Sequence, residues 1–250
     1  MTELIWLDLV PRHGATQMAI DTVSVDIARE EGCSILRLYR WQGNTVSFGA
    51  NESALRHWRR DLLEADGIHC VRRPTGGRGV WHDTDDLTYS WVGRSGDSEG
   101  VRRIYRELHQ RLATAIDPLG GPASLSDSRL VPGLAPGACF DAPIGGEVLV
   151  GGRKAIGSAQ RVIGDHLLQH GAMAIRDRSD QLSVYRRRHS GAQAIGGGEL
   201  PGATETAQAI AGAWRQAGAL ELPAALAARI VLASDHVSAR YRDPDWTWRR

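Results

Sequence analysis

Residues Glu147 to Ile175 read EVLVGGRKAIGSAQRVIGDHLLQHGAMAI. Two strand-like runs, Glu147 to Val150 and Arg153 to Ala159, flank Gly151-Gly152. Two more, Gln160 to Ile163 and His166 to Ile175, flank Gly164-Asp165. Short glycine turns between such runs are hairpin signals, because the favoured hairpin turns need positive φ at their centres. Strands joined by hairpins pair antiparallel. This stretch therefore predicts a largely antiparallel sheet.

The flanking sequence supplies further strands and the helices. Ile5 to Val10, Ser34 to Arg40, Thr45 to Phe48, His69 to Arg73, Val80 to His82 and Leu87 to Val92 read as strands, the last two continuing one sheet. Ala15 to Glu31 carries Met18, Val23, Ile27 and Ala28 at helical spacing and stops at Gly32, a C-cap residue. Ser53 is placed to cap a helix from Ala54 to Ala65, Val101 to Ile116 reads as another, and the Ala-rich tail from Thr204 to Arg240 is mostly helical. The expected fold class is α+β: a mixed, largely antiparallel sheet with packed helices, in a single domain over residues 1–250.

The 250 residues are 42% hydrophobic and 24% charged, enough apolar material for a sizeable core. Thirty basic and 29 acidic residues leave a net charge of +1, which argues against a general nucleic-acid binder. No apolar run approaches the length of a membrane span, and the first ten residues lack a signal-peptide pattern, so a cytoplasmic location is expected. Three cysteines without a CxxC, and histidines without HExxH, disfavour a disulfide scaffold and a zinc site, so no metal is expected. One lysine, Lys154, stands against 29 arginines. A chain that uses the arginine fork everywhere else has reason to keep a compact ammonium at that one position.

Four motifs could carry chemistry. Arg72-Arg73-Pro74-Thr75-Gly76-Gly77-Arg78-Gly79 follows a strand; its glycines permit close backbone approach and its arginines suit a carboxylate or phosphate. It is neither a P-loop nor a GxGxxG dinucleotide motif. His82 follows directly in Val80-Trp81-His82-Asp83. Cys139, in the Gly- and Pro-rich stretch Leu119 to Pro143, is a candidate nucleophile, whereas Cys33 and Cys70 occupy positions typical of small buried residues. Lys154 lies fifteen residues beyond Cys139 and could serve it as base and electrostatic partner. Gly157, Ser158 and Ala159 leave room beside Lys154, and His170 and Gly171 lie on the next strand. The arginine runs Arg59-Arg60, Arg102-Arg103 and Arg186-Arg187-Arg188 read as solvated faces or as docking points for an acidic protein.

In this order the motifs resemble the lipoate–protein ligase and octanoyltransferase family, whose fold is shared with the biotin ligase catalytic domain. The resemblance also takes in Gly14 to Asp21, Leu36 to Trp41 and Tyr241 to Trp246. It implies an acyl-chain tunnel lined by Arg72, Arg73, Gly76, Gly77, His82, Gly157, Ser158, Ala159, His170 and Gly171, with Lys154 on the family's essential lysine. Ala138-Cys139-Phe140-Asp141-Ala142-Pro143 resembles the cysteine motif of the transferase branch, although Ile144-Gly145-Gly146-Glu147 stands where that branch has Ser-x-Tyr-Glu. The implied activity is transfer of an octanoyl or lipoyl group from a carrier-protein thioester, through acyl-Cys139, to the lysine of a lipoyl domain. That domain would be the glycine cleavage H protein or the E2 of a 2-oxoacid dehydrogenase, the donor an acyl carrier protein, and no cofactor would be required. The alternative is an ATP-dependent lipoate–protein ligase using ATP and Mg through a lipoyl-adenylate. Arg78 is similar to part of the phosphate-binding loop of biotin ligases. Many ligases carry a C-terminal accessory domain, for which a chain ending at Arg250 leaves little room, and some keep it on a separate chain.

Overall fold

Gly151 and Gly152, with φ of 56° and 77°, turn the chain between the strands Val148–Val150 and Arg153–Ile163, and Gly164 turns it again into His166–Met173. A computed structural model gives the full arrangement and describes residues 1–127, 146–173, 175, 179–187 and 200–249; Cys139 lies outside them. In chain order the strands are β1 (Thr2–Arg12), β2 (Cys33–Trp41), β3 (Thr45–Phe48), β4 (His69–Arg72), β5 (Val80–His82), β6 (Leu87–Arg94), β7 (Ala123–Leu125), β8 (Val148–Val150), β9 (Arg153–Ile163), β10 (His166–Met173) and β11 (Leu220–Glu221). The helices are α1 (Gly14–Glu31), α2 (Ala54–His57), α3 (Arg60–Ala65), α4 (Ser98–Gly120), α5 (Ser179–Tyr185), α6 (Ala203–Gln216), α7 (Ala224–Arg242) and α8 (Pro244–Trp248).

The main sheet runs β11-β1-β2-β6-β10-β9-β8-β7. From β2 to β7 every neighbouring pair is antiparallel, while β1 is parallel to both β2 and β11. The sheet is thus mixed and largely antiparallel, as its hairpins predict. Successive side chains on a strand point to opposite faces. Leu36, Leu38, Leu87 and Ile156 meet Leu108, Leu112, Ile210 and Trp214 of α4 and α6 on one face. Ile35, Val92 and Leu168 meet Ile20, Val23, Ile27 and Ile230 of α1 and α7 on the other. The core is therefore built on both sides of a buried sheet.

Two local expectations are corrected. Val80 to His82 does not continue the main sheet: β4-β3-β5 form a separate three-stranded sheet, with β3 parallel to β4 and antiparallel to β5. The reason is a second apolar nucleus. Val46, Phe48 and Trp81 pack with Trp58 and Trp248, while Ser47 and His82 on the opposite face look toward the main sheet. The helix expected over Ala54 to Ala65 is interrupted. Trp58 is extended, bridges Arg186, and donates from its buried indole to Glu52 Oε1 at 3.0 Å, which a continuous helix would not permit. Ser53 makes no side-chain cap there.

Candidate functional site

A cavity that opens to solvent lies between the α1 face of the main sheet and the polar face of the small sheet; the roughly 330 Å³ of atom-free space there includes part of that solvent. Met18, Tyr39, Trp41, Thr88, Gly157, Ala159 and Ala172 line one side, and Ser47, Arg73, Val80 and His82 the other. Ser158, His170 and Gly171 complete it. Seven sequence-predicted residues from three distant segments therefore meet here: Arg73, His82, Gly157, Ser158, Ala159, His170 and Gly171. Gly171 is needed for packing: a Cβ there would sit 2.3 Å from Ser158 Oγ and 2.6 Å from the Tyr89 ring.

The glycine loop acts on Arg73. Its guanidinium donates to the carbonyls of Ser47, Gly76 and Arg78, each at 2.7 Å, so Gly76 and Gly77 shape the loop around an internal cation. A Cβ on Gly77, whose φ is 92°, would lie 2.8 Å from that guanidinium. Arg72, the neighbouring residue on β4, does not reach the cavity. It is fully buried and donates to the carbonyls of Gly49, Glu52, Trp246, Thr247 and Arg249, tying α8 to the segment after β3. His82 stacks on Trp41 with ring centroids 3.9 Å apart, and its Nε2 lies 2.8 Å from Ser47 Oγ. Burial, then the charges of Arg73 and His170, hold its pKa well below the usual imidazole value, so the ring is neutral.

Behind His170 lies a charged network that sequence reading assigned no role. His170 Nδ1 donates to Asp21 Oδ2 at 3.0 Å, and its Nε2 is 2.5 Å from Thr75 Oγ1. Arg37 Nη1 reaches the other Asp21 oxygen at 3.0 Å, while its Nε and Nη2 both contact Asp8 and Nη2 also meets Gln17. Burial would raise the Asp21 pKa, but the His170 hydrogen bond and the Arg37 charge outweigh it and bring it below the ordinary carboxylate value. One signal was available: Asp21 interrupts the apolar face of α1, and Arg37 sits between leucines in β2.

On the opposite face, Lys154 Nζ pairs with Glu147 Oε1 at 2.8 Å, both side chains buried. Lys154 lies three residues before Gly157 on β9, about 10 Å along the strand from the cavity. Nearby, His109 Nδ1 is 2.6 Å from the Gly146 carbonyl and its Nε2 is 2.7 Å from Ser158 Oγ. Burial brings the His109 pKa down to about 4; the Gly146 hydrogen bond opposes this and the Lys154 charge adds to it. A neutral ring that donates to Gly146 must accept from Ser158. The chain then runs on with one polarity, Tyr89 donating to Ser158, Gln169 to Tyr89 and Gln160 to Gln169. His109, Tyr89 and Glu147 were also missed in the sequence. Burial raises both Cys33 and Cys70, the latter to about 12, which leaves each a poor nucleophile.

Among the described residues no group of three or more His, Cys, Asp or Glu side chains could hold a metal ion, and no helix is long and apolar enough to cross a membrane.

Known proteins bear on this geometry. The octanoyltransferase LipM of Carboxydothermus hydrogenoformans is 38% identical over 181 residues, covering 71% of this chain and 66% of that protein, just under two thirds of its length. The octanoyltransferase LipM of Kyrpidia tusciae is 31% identical over 261 residues, covering 94% of this chain and 95% of that protein. Among solved structures, protein Ta0514 of T. acidophilum with bound lipoic acid superposes with a TM-score of 0.78 at 21% identity, over 99% of this chain and 100% of that one. Lipoate-protein ligase A bound with ATP gives 0.77 at 20% identity, over 99% of both chains. At such identities these two show a common fold. The model of the lipoyl protein ligase A/B catalytic domain matches residues 13–194, and the chain belongs to that family.

Proposed function

We propose that the protein is an acyltransferase that moves an octanoyl or lipoyl group from a carrier-protein thioester to the acceptor lysine of a lipoyl domain. The observation that carries this reading is the cavity itself. Met18, Trp41, Val80 and Ala172 give it apolar walls suited to an acyl chain, and β9, which floors it, also bears the buried Lys154, paired on the opposite face with Glu147. Similarity to the LipM octanoyltransferases supports transfer over ligation. So does Arg73, whose donors are engaged by carbonyls of its own loop and of Ser47 instead of pointing outward to clamp a phosphate.

In this reading residues 1–250 form one catalytic domain, acting in the cytoplasm without ATP, Mg or another cofactor. Cys139 is the nucleophile. Lys154 Nζ takes the thiol proton, and the thiolate attacks the thioester carbonyl. The bond from that carbonyl to the carrier sulfur breaks, and the carrier leaves as its thiol with the proton returned from Lys154. The lipoyl-domain amine then attacks acyl-Cys139. An amide bond forms, the bond to Cys139 Sγ breaks, and the amine's proton passes by way of Lys154 to that sulfur. Glu147, 2.8 Å away, holds Nζ in place and stabilises the ammonium that forms transiently within each step. The glycine cleavage H protein and an E2 component are the candidate acceptors, and an acyl carrier protein is the candidate donor.

The test is the intact mass of an apo lipoyl domain incubated with this protein and octanoyl carrier protein, without ATP. A gain of one octanoyl group is expected. Lys154→Arg should lose at least about 100-fold in rate despite keeping the charge, because the fork cannot serve as the proton carrier. No acyl gain without ATP, together with lipoate transfer when ATP is supplied, would replace this reading with the ligase.

A further inference from the structure

His109, on α4, is fully buried and takes no part in the steps of acyl transfer. Its ring bridges two segments. Nδ1 lies 2.6 Å from the Gly146 carbonyl, and Nε2 lies 2.7 Å from Ser158 Oγ on β9. Gly146 directly precedes Glu147, whose carboxylate meets Lys154 Nζ at 2.8 Å. The Tyr105 ring, one turn earlier on α4, packs against His109 with centroids 4.2 Å apart and confines it.

Gly146, at a φ of 83°, is in the left-handed region and has no side chain to fix it. Its N–H donates to the Ser126 carbonyl, and the Ser126 N–H donates to the Glu147 carbonyl, each at 2.8 Å. Ser126 follows β7, a three-residue strand at the edge of the main sheet. Such edges open more readily than well-packed helices. His109 ties the same two residues to a 23-residue helix whose Leu108, Leu112 and Ile116 lie in the core. A neutral imidazole suits this position. It supplies one donor for the carbonyl and one acceptor for the hydroxyl, and it adds no second cation near Lys154.

We infer that His109 is a positioning residue for acyl transfer: it holds the Gly146–Glu147 backbone so that the Glu147 carboxylate stays on Lys154 Nζ. The inference rests on the acyl-transfer reading, in which Nζ takes and returns a proton in both halves of the reaction. His109 touches no reacting atom and acts through Glu147. Proton transfer is sensitive to placement, and a shift of about 1 Å can cost on the order of 100-fold in rate. The bond to Gly146 serves this role, while the bond to Ser158 supports the cavity wall.

Two variants separate the two bonds. In His109→Asn the amide nitrogen is attached to Cγ, as Nδ1 is, and can still donate to Gly146. In His109→Gln the carboxamide lies one carbon further out and reaches Ser158 instead. Steady-state transfer is measured from octanoyl carrier protein to an apo lipoyl domain. His109→Asn should keep kcat within about threefold of wild type, and His109→Gln should lose about thirtyfold, with KM for the carrier protein unchanged in both. In a Glu147→Gln background the His109→Gln loss should shrink to below about threefold, because the group it positions is already gone. Equal kcat in the two single variants would overturn the assignment, as would a His109→Gln loss undiminished in the Glu147→Gln background. A raised KM with kcat kept would overturn it in favour of a role in the cavity wall alone. Should His109→Gln fail to fold, as its thermal melt will show, a folded His109→Asn that loses about tenfold or more in kcat overturns it. A wild type that transfers nothing would instead defeat the acyl-transfer reading, and this inference with it.

Discussion

On the α1 face of the main sheet, Arg37 spans Asp8 and Asp21, and His170 closes onto the same Asp21 carboxylate. On the α4 face, His109, Ser158, Tyr89, Gln169 and Gln160 are linked through neutral groups, and the Lys154–Glu147 pair lies beyond them. Both networks border the cavity, one through His170 and the other through Ser158. The charged network is strong only while complete, since removing one member strands a buried charge. The neutral chain has a fixed donor-to-acceptor direction, so its weakness is a proton added at His109, where the direction must reverse.

Breaking the charged side should have the largest effect. Asp21→Asn leaves Arg37 one carboxylate short and deprives His170 of its acceptor's charge. We expect a loss of about 3 kcal/mol or more in the urea unfolding free energy at pH 7. Because the Asp21 pKa is lowered on folding, its contribution is present above the unfolded carboxylate value and is lost as pH falls through the folded one. An unchanged midpoint would show that the network's charges are not coupled.

The neutral side should respond to pH. A folded pKa of about 4 against the ordinary imidazole value of 6.5 means that the unfolded chain takes up the proton first as pH falls. The contribution of neutral His109 is complete above 6.5 and disappears between 6.5 and 4, about 3 kcal/mol in all. His82, also held neutral by burial, adds loss of the same sign. Urea midpoints measured across that window should fall in wild type and fall less in His109→Asn. Equal slopes would remove His109 from the account.

A smaller change sharpens the comparison. Tyr89→Phe removes the hydroxyl that gives to Ser158 and receives from Gln169, while leaving the packed ring. The expected cost is about 1 kcal/mol in thermal unfolding, near that of a neutral hydrogen bond, because no charge is exposed. A cost as large as that of Asp21→Asn would mean that the two faces do not differ in kind.

Much of this was legible in the residues. The glycine pairs announced the hairpins because reversal there needs positive φ, and Gly32 closes α1 at a φ of 62°. The order of the motifs indicated the family. The small residues Gly157, Ser158 and Ala159 and the His170-Gly171 pair pointed to a cavity wall, and all five line it. Trp58 was less legible: it reads as a helix residue and is instead extended, because its indole has a buried partner in Glu52 and a seat under Gly79. No local propensity records those contacts.

The adjacent arginines mark the boundary. The residues alone tell that Arg72 and Arg73 leave a strand into a glycine loop, that one lysine stands among 29 arginines, and that hairpins build the sheet. Long-range packing makes Arg73 line the cavity while Arg72 binds the carbonyls around α8, and sets β3, β4 and β5 in a sheet of their own. Neighbours on a strand face opposite ways, so which of two equal side chains meets a cavity depends on what packs against each face. Those packing partners come from residues as distant in sequence as Ser47 and Thr247.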